Sequence, residues 1–218
     1  MATGDTTTDA TQGAGPFTPL APTRRMTEDE FVAWSGQLEE GVRAEWVDGD
    51  VIMMSPVNSE HARISFWFLR LLADLVEQQQ LGEVFGGDVA IRFEKRRRRR
   101  VPDGFFVARE RLHLLTETYL DGAPDMVLEV VSPDSHERDW RDKHREYEKF
   151  GVREYWVVDP QLQRAELNVL GKSGEYEQLA ATDGWLTSQV VPGFRIRLEW
   201  LWAEPRPAIR DALAAMAP

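Results

Sequence analysis

Between Ile64 and Val76 the apolar residues Ile64, Trp67, Phe68, Leu71, Leu72, Leu75 and Val76 recur at alternating steps of three and one. That is the period of one helix face, and it predicts a long helix over "NSEHARISFWFLRLLADLVEQQQ" that Gly82 ends. A second pattern, "DMVLEVV" at 125–131, is apolar at successive positions over the length of one strand. Such a run reads as a strand covered on both faces. A third begins at Trp140, with Lys143, Tyr147 and Phe150 following at steps of three, four and three. It predicts a helix over "SHERDWRDKHREYEKFG", stopped by Gly151, whose apolar face lies on the sheet.

Shorter signals fill the intervals. "MTEDEFVAWSG" carries a capping box, Thr27 with Glu30, before Phe31 and Trp34, and predicts a short helix. "RAEWVDGDVIMMSP" reads as a hairpin around Asp48-Gly49. "EVFGGDVAIRFE" reads as a strand interrupted or bulged at Gly86-Gly87, and "VPDGFFVA", "REYWVVDP", "RAELNVL", "EYEQLA" and "FRIRLEWLW" as further strands. The core order is helix, strand, strand, strand, helix, strand, with extra strands at both ends. That is a mixed α/β layer. Residues 1–22, rich in Thr, Gly, Ala and Pro, read as a disordered tail. Residues 23–205 form one domain, and 206–218 a C-terminal tail with a short, frayed helical end.

Composition narrows the chemistry. The 218 residues include no cysteine, which excludes disulfides, thiolate zinc sites and cysteine nucleophiles. The formal net charge of -11 argues against nucleic-acid binding by bulk electrostatics, though not against a local basic groove beside an acidic metal site. With no bilayer-length apolar stretch and no apolar signal core, the expected compartment is the cytoplasm, with no membrane association.

Against that background Glu129 is out of place, because a carboxylate inside an apolar strand must be paired or protonated. It reads either as the partner of an arginine or as a metal ligand; a divalent cation offsets the desolvation of a carboxylate well. Asp103, opening the preceding apolar strand after Pro102, is the expected second acid, although Pro-Asp-Gly is also a common turn. Lys143, on the packing side of its helix, either snorkels to water or points at the two acids. A methionine there is expected to keep the fold nearly intact. Glu45, before the main helix, and His61, in its first turn, are candidates for an outer shell. Arg96, Arg97, Arg98, Arg99 and Arg100 read as a loop before Asp103, either solvated or binding phosphate at the mouth of the site.

The combination of Pro102-Asp103 and Glu129 resembles the PD-(D/E)xK nuclease superfamily. The superfamily's lysine, two residues after the second acid, is Val131 here, and Lys143 fits a migration of that lysine to the following helix. More closely, "RAEWVDGDVIMMSP", "SEH", "VPDGFFV", "APDMVLEVVSPDS", "RDWRDKHREYEKFGVREYWVVDP" and "PGFRIRLEWL", in this order, resemble the Uma-type restriction-endonuclease family from about Met26 to Trp202. The resemblance implies a restriction-endonuclease-like core and a Mg²⁺-dependent endonuclease acting on DNA, with Mn²⁺ as a substitute. Asp103 and Glu129 would be metal ligands and Lys143 the third catalytic residue. A homodimer would suit double-strand chemistry. The alternative is a protein that keeps the fold and binds DNA or a protein partner without cutting.

Overall fold

The computed structural model describes residues 21–39, 41–93, 97–132 and 138–217. The expected N-terminal tail lies outside these residues except for its last two positions, and Arg96 lies outside them too. Two mixed sheets carry the fold. The larger has six strands in the order β11 (Tyr176–Leu179), β10 (Arg164–Leu170), β9 (Glu154–Asp159), β8 (Met126–Val130), β6 (Gly104–Ala108) and β3 (Gly82–Gly86). Within it β8 and β9 are parallel and the other neighbours antiparallel. The smaller has five strands in the order β2 (Asp50–Met53), β1 (Ala44–Val47), β5 (Arg98–Arg100), β4 (Ala90–Phe93) and β7 (Tyr119–Asp121). A two-stranded ribbon pairs β12 (Trp185–Thr187) with β13 (Arg195–Arg197).

The unbroken apolar runs follow from burial of the larger sheet on both faces. On one face α2 (Ser59–Gln79) lays Ile64, Phe68, Leu71 and Leu72 against Met126, Leu128 and Val130 of β8 and Trp156 and Val158 of β9. On the other, Val127, Tyr155 and Val157 meet Tyr147 of α3 (His144–Phe150), together with Ile91 and Phe93 of β4 and Leu120 of β7. The smaller sheet and α3 therefore cover one side of the larger sheet, and α2 the other. Parallel β8 and β9 need a crossover, and a π-helical turn (Arg138–Lys143) with α3 lies between them in sequence.

Local chemistry accounts for the boundaries. The side chain of Thr27 accepts from the Glu30 amide and Glu30 returns the bond, closing the capping box of α1 (Glu28–Ser35). Asp48 and Gly49 take φ of 52° and 102°, as a tight hairpin of this hand requires. The long helix ends earlier than expected, at Gln79, with Gln80 in the left-handed conformation (φ 55°). Gly82 is needed for a different reason: a Cβ there would stand 2.0 Å from the Val107 carbonyl across the β3–β6 pair.

Of the interruption or bulge expected at Gly86-Gly87, the interruption is what the fold has: there the chain leaves the larger sheet at β3 and enters the smaller one at β4. Three expectations change. The arginine run is not a loop over residues 98–100, because these pair with both β1 and β4 inside the smaller sheet. "FRIRLEWLW" is a strand only through Arg197; Leu198–Trp202 is a helix, α4, in which Leu201 is buried. The C-terminal segment is no frayed tail: α5 (Ile209–Met216) buries Ile209, Ala212 and Met216 in the core that α2 lines. Among the described residues no helix is long and apolar enough to cross a membrane.

The last correction has a direct measure. Ile209→Ala should lower the unfolding free energy by about 2–4 kcal/mol, the cost of truncating a buried isoleucine in a packed core. Denaturant melts giving a loss below about 0.5 kcal/mol, the scale of surface substitutions, would mean that α5 frays from the core.

Candidate active site

Strand pairing puts the two acids at opposed positions. The β6–β8 register pairs Gly104 with Leu128 and Phe105 with Val127. One residue further out, Asp103 falls opposite Glu129. Residues opposite each other in an antiparallel pair share a face, and alternation along β8 puts Glu129 on the side of Val127, facing α3. Asp103 sits in the bend before β6, and its Oδ2 accepts the Val130 amide at 2.7 Å, so its carboxyl group ties that bend to β8.

The same Oδ2 lies 3.2 Å from Nε2 of His61, which is buried in the first turn of α2. Asn58 caps that turn by accepting the His61 amide at 2.9 Å. The cap thus fixes where His61 stands, and His61 helps to fix Asp103. Oδ1 of Asp103 accepts no hydrogen bond from the described residues.

Lys143 closes the constellation. Its Nζ lies 2.8 Å from Oε1 of Glu129, and the residue is only 3% exposed, so the side chain does not snorkel. Tyr147, one turn later, donates its hydroxyl to the same Oε1 at 2.8 Å. Burial raises the Tyr147 pKa, and the negative charges of Glu129 and Glu45 raise it further, so the hydroxyl keeps its proton and remains a donor. The expectation that methionine at 143 would be harmless does not survive this geometry. It would leave Glu129 buried without this cation, a change that typically costs about 3–5 kcal/mol.

A second tier of charge stands behind Lys143. Glu45, on β1, is 1% exposed and holds Arg100 of β5 through Oε2 at 2.6 Å and the Val101 amide through Oε1 at 3.1 Å. The same Oε1 is 3.9 Å from Lys143 Nζ. Burial opposes ionisation of Glu45, but Lys143, Arg100 and the two hydrogen bonds outweigh it and bring its pKa to about 2. Arg100 is buried too and also grips Glu146 of α3, at 2.6 Å. Desolvation disfavours its charge, yet Glu45 and Glu146 hold its pKa above the ordinary arginine value.

Sequence reasoning placed Asp103, Glu129, Lys143, Glu45 and His61 in one neighbourhood; the fold sets His61 against Asp103, and Lys143 against Glu129 and Glu45. It missed Tyr147 and Glu146 as parts of the network. The helical spacing did put Tyr147 on the face that carries Lys143, but an aromatic at such a position is ordinarily packing. The arginines divide. Arg100 is structural and enclosed; Arg98 pairs with Asp48 at 2.7 Å and Glu146 at 3.2 Å; Arg99 pairs with Glu28 at 2.7 Å and lies over the Tyr119 ring. Arg97 is exposed. Among the described residues no group of three or more His, Asp or Glu side chains is arranged to hold a metal ion. Two acids at opposed positions on neighbouring strands would be a different donor set, one that a hard cation completes with waters and substrate oxygens.

Known proteins share this fold. The described fold resembles a crystal structure titled as a "putative nuclease belonging to DUF820" from Anabaena variabilis ATCC 29413, with a TM-score of 0.66 and 19% identity. The likeness covers 81% of this chain and 97% of that one. No curated protein matches the chain. The model of the Uma2 family, described as "Putative restriction endonuclease", matches residues 28–199, most of the sequence, and the chain belongs to that family.

Proposed function

We propose that this protein is a Mg²⁺-dependent endonuclease that hydrolyses DNA phosphodiester bonds at the centre formed by Asp103, Glu129 and Lys143. The observation that carries the reading is the opposition of Asp103 and Glu129 across the β6–β8 pair, with a buried ammonium 2.8 Å from one of them. Two acids on neighbouring strands supply the hard oxygen donors that Mg²⁺ takes, the rest of its shell being water and phosphate oxygens. Oδ1 of Asp103, which no described residue occupies, is the natural inner donor. DNA as the substrate follows from the family description and is an argument by analogy.

Asp103 and Glu129 would hold the ion, with Mn²⁺ as a substitute. When bound, it polarises a phosphate oxygen and lowers the pKa of a water. The chain's own groups set the geometry. Val130 and His61 orient Asp103, and Tyr147 and Lys143 orient Glu129. Lys143 offers a fixed positive charge that can direct an attacking water or meet charge that develops on a phosphate oxygen. Glu45, ionised at any working pH, stands 3.9 Å from that ammonium group.

Calorimetric titration tests the metal directly. The wild-type protein should take up Mn²⁺, and Asp103→Ala should lose that uptake. Wild-type protein that binds no Mn²⁺ would reduce the centre to a packed charge cluster.

Lys143→Met should reduce DNA cleavage by about 10²–10³-fold, the scale of losing one preorganised donor. It should also lower stability by about 3–5 kcal/mol, and saturating Mn²⁺ should restore part of that loss, because an ion bound only by the folded state stabilises it. A variant that cuts at the wild-type rate would remove lysine from the mechanism.

The depressed pKa of Glu45 makes a pH prediction. Its stabilisation is complete above the ordinary carboxyl value of 4.5 and is lost as pH falls from there through about 2. Glu45→Gln should therefore lower stability at neutral pH and flatten its decline over that window in denaturant melts. An unchanged acid slope would mean that Glu45 does not titrate with folding.

A further inference from the structure

A cleft of about 420 Å³ opens beside the charge network, lined by Asp48, Arg97, Arg98, Arg145, Glu146, Lys149 and Phe150. We propose that it holds backbone phosphates of a nucleic acid next to the one that is cut; this rests on the nuclease reading. Both of its acids are already engaged. Asp48 pairs with Arg98 at 2.7 Å, and Glu146 pairs with Arg98 at 3.2 Å and with Arg100 at 2.6 Å. Arg97, Arg145 and Lys149 are exposed and form no ion pair within 4.0 Å among the described residues. Three exposed cations without an ion pair around one concavity, in a chain of net charge -11, suit an anion with several oxygens.

The backbone holds one of these cations in a costly conformation. Arg97 has φ of 53°, in the left-handed region that side chains seldom adopt. Its carbonyl accepts the Asp48 amide at 3.0 Å, and its guanidinium lies over the Trp46 ring, 5.8 Å from the centroid. Strain retained at an exposed arginine, with the hairpin tip clamping it, is the kind of outlier that accompanies binding sites.

Position ties the cleft to the centre. Arg145 and Lys149 lie on the helix that follows Lys143, and Glu146 is linked through Arg100 and Glu45 to Lys143 itself. From Lys143 to Lys149 the helix rises about 9 Å at 1.5 Å per residue. That equals the axial rise of roughly two to three base pairs of a duplex, at 3.4 Å of axis per charge on one strand. The arginine run thus contributes Arg97 alone as an exposed cation without an ion pair among its described members, while α3 supplies the other two.

The test is fluorescence-anisotropy binding of a short DNA duplex in EDTA, where cleavage is stopped, across a range of salt. Arg145→Ser/Lys149→Ser should weaken binding at 0.1 M salt on the order of tenfold for each phosphate that is no longer neutralised, and should reduce the log–log salt slope by about 0.9 per phosphate. Mn²⁺ uptake should stay at the wild-type level. The control Lys172→Ser/Arg210→Ser, exposed residues outside the cleft, should change neither affinity nor slope. Unchanged binding in the cleft variant, or an equal effect in the control, would overturn the cleft as a phosphate site and leave the metal centre standing. Wild-type protein that binds no duplex would also overturn it, while Mn²⁺ uptake and the cleavage assay judge the nuclease reading separately.

Discussion

A carboxylate in the middle of an apolar strand has to be answered by charge, and the contact between Glu129 and Lys143 is that answer. β8 is covered on both faces, so Glu129 cannot reach bulk water. Lys143 and Tyr147 meet it from the helix, and the helix can deliver them only because β8 and β9 are parallel and need a crossover between them. A buried ion pair is weak evidence for stability, since apolar residues of similar volume often serve as well. The metal centre proposed above would give its retention a reason.

The same constraint explains the smaller sheet. Lys143 is buried as well, and Glu45 on β1 stands 3.9 Å from its ammonium group. Glu45 is held in turn by Arg100 from β5, and Arg100 reaches back to Glu146 on α3. The ring of contacts runs from sheet to helix to second sheet and returns to the helix. An arginine-rich segment in an acidic chain serves first as the wall of this ring, because a guanidinium can satisfy two carboxylates at once and stays charged when enclosed. Among its described members, Arg97, just outside the sheet, is the one exposed to solvent.

Much of this was legible from residue pattern, and the failures have physical causes. The period of α2, the Asp48-Gly49 hairpin and the capping box at Thr27 are local signals, and each appears where local rules put it. Asp103 and Glu129 could be paired because adjacent strands tend to be neighbours. What failed depended on partners distant in sequence. Five arginines read as a loop because like charges prefer solvent, yet Glu28, Glu45 and Glu146, remote along the chain, draw Arg98–Arg100 into a sheet. α5 read as a frayed end because eight residues cannot sustain a helix alone; packing in the core with α2 sustains it. Tyr147 was hidden by its own type, since its ring fills the core while its hydroxyl serves Glu129.

The central claim is that Glu129 is kept in its strand in order to support metal-dependent hydrolysis. The most direct measurement is cleavage of single- and double-stranded DNA by purified wild-type protein and Glu129→Gln, each with Mg²⁺, with Mn²⁺ and with EDTA. The account predicts cleavage by the wild type with either ion, none in EDTA, and a loss of activity in Glu129→Gln while the protein remains folded. Equal cleavage by the two proteins, or cleavage that persists in EDTA, would contradict it.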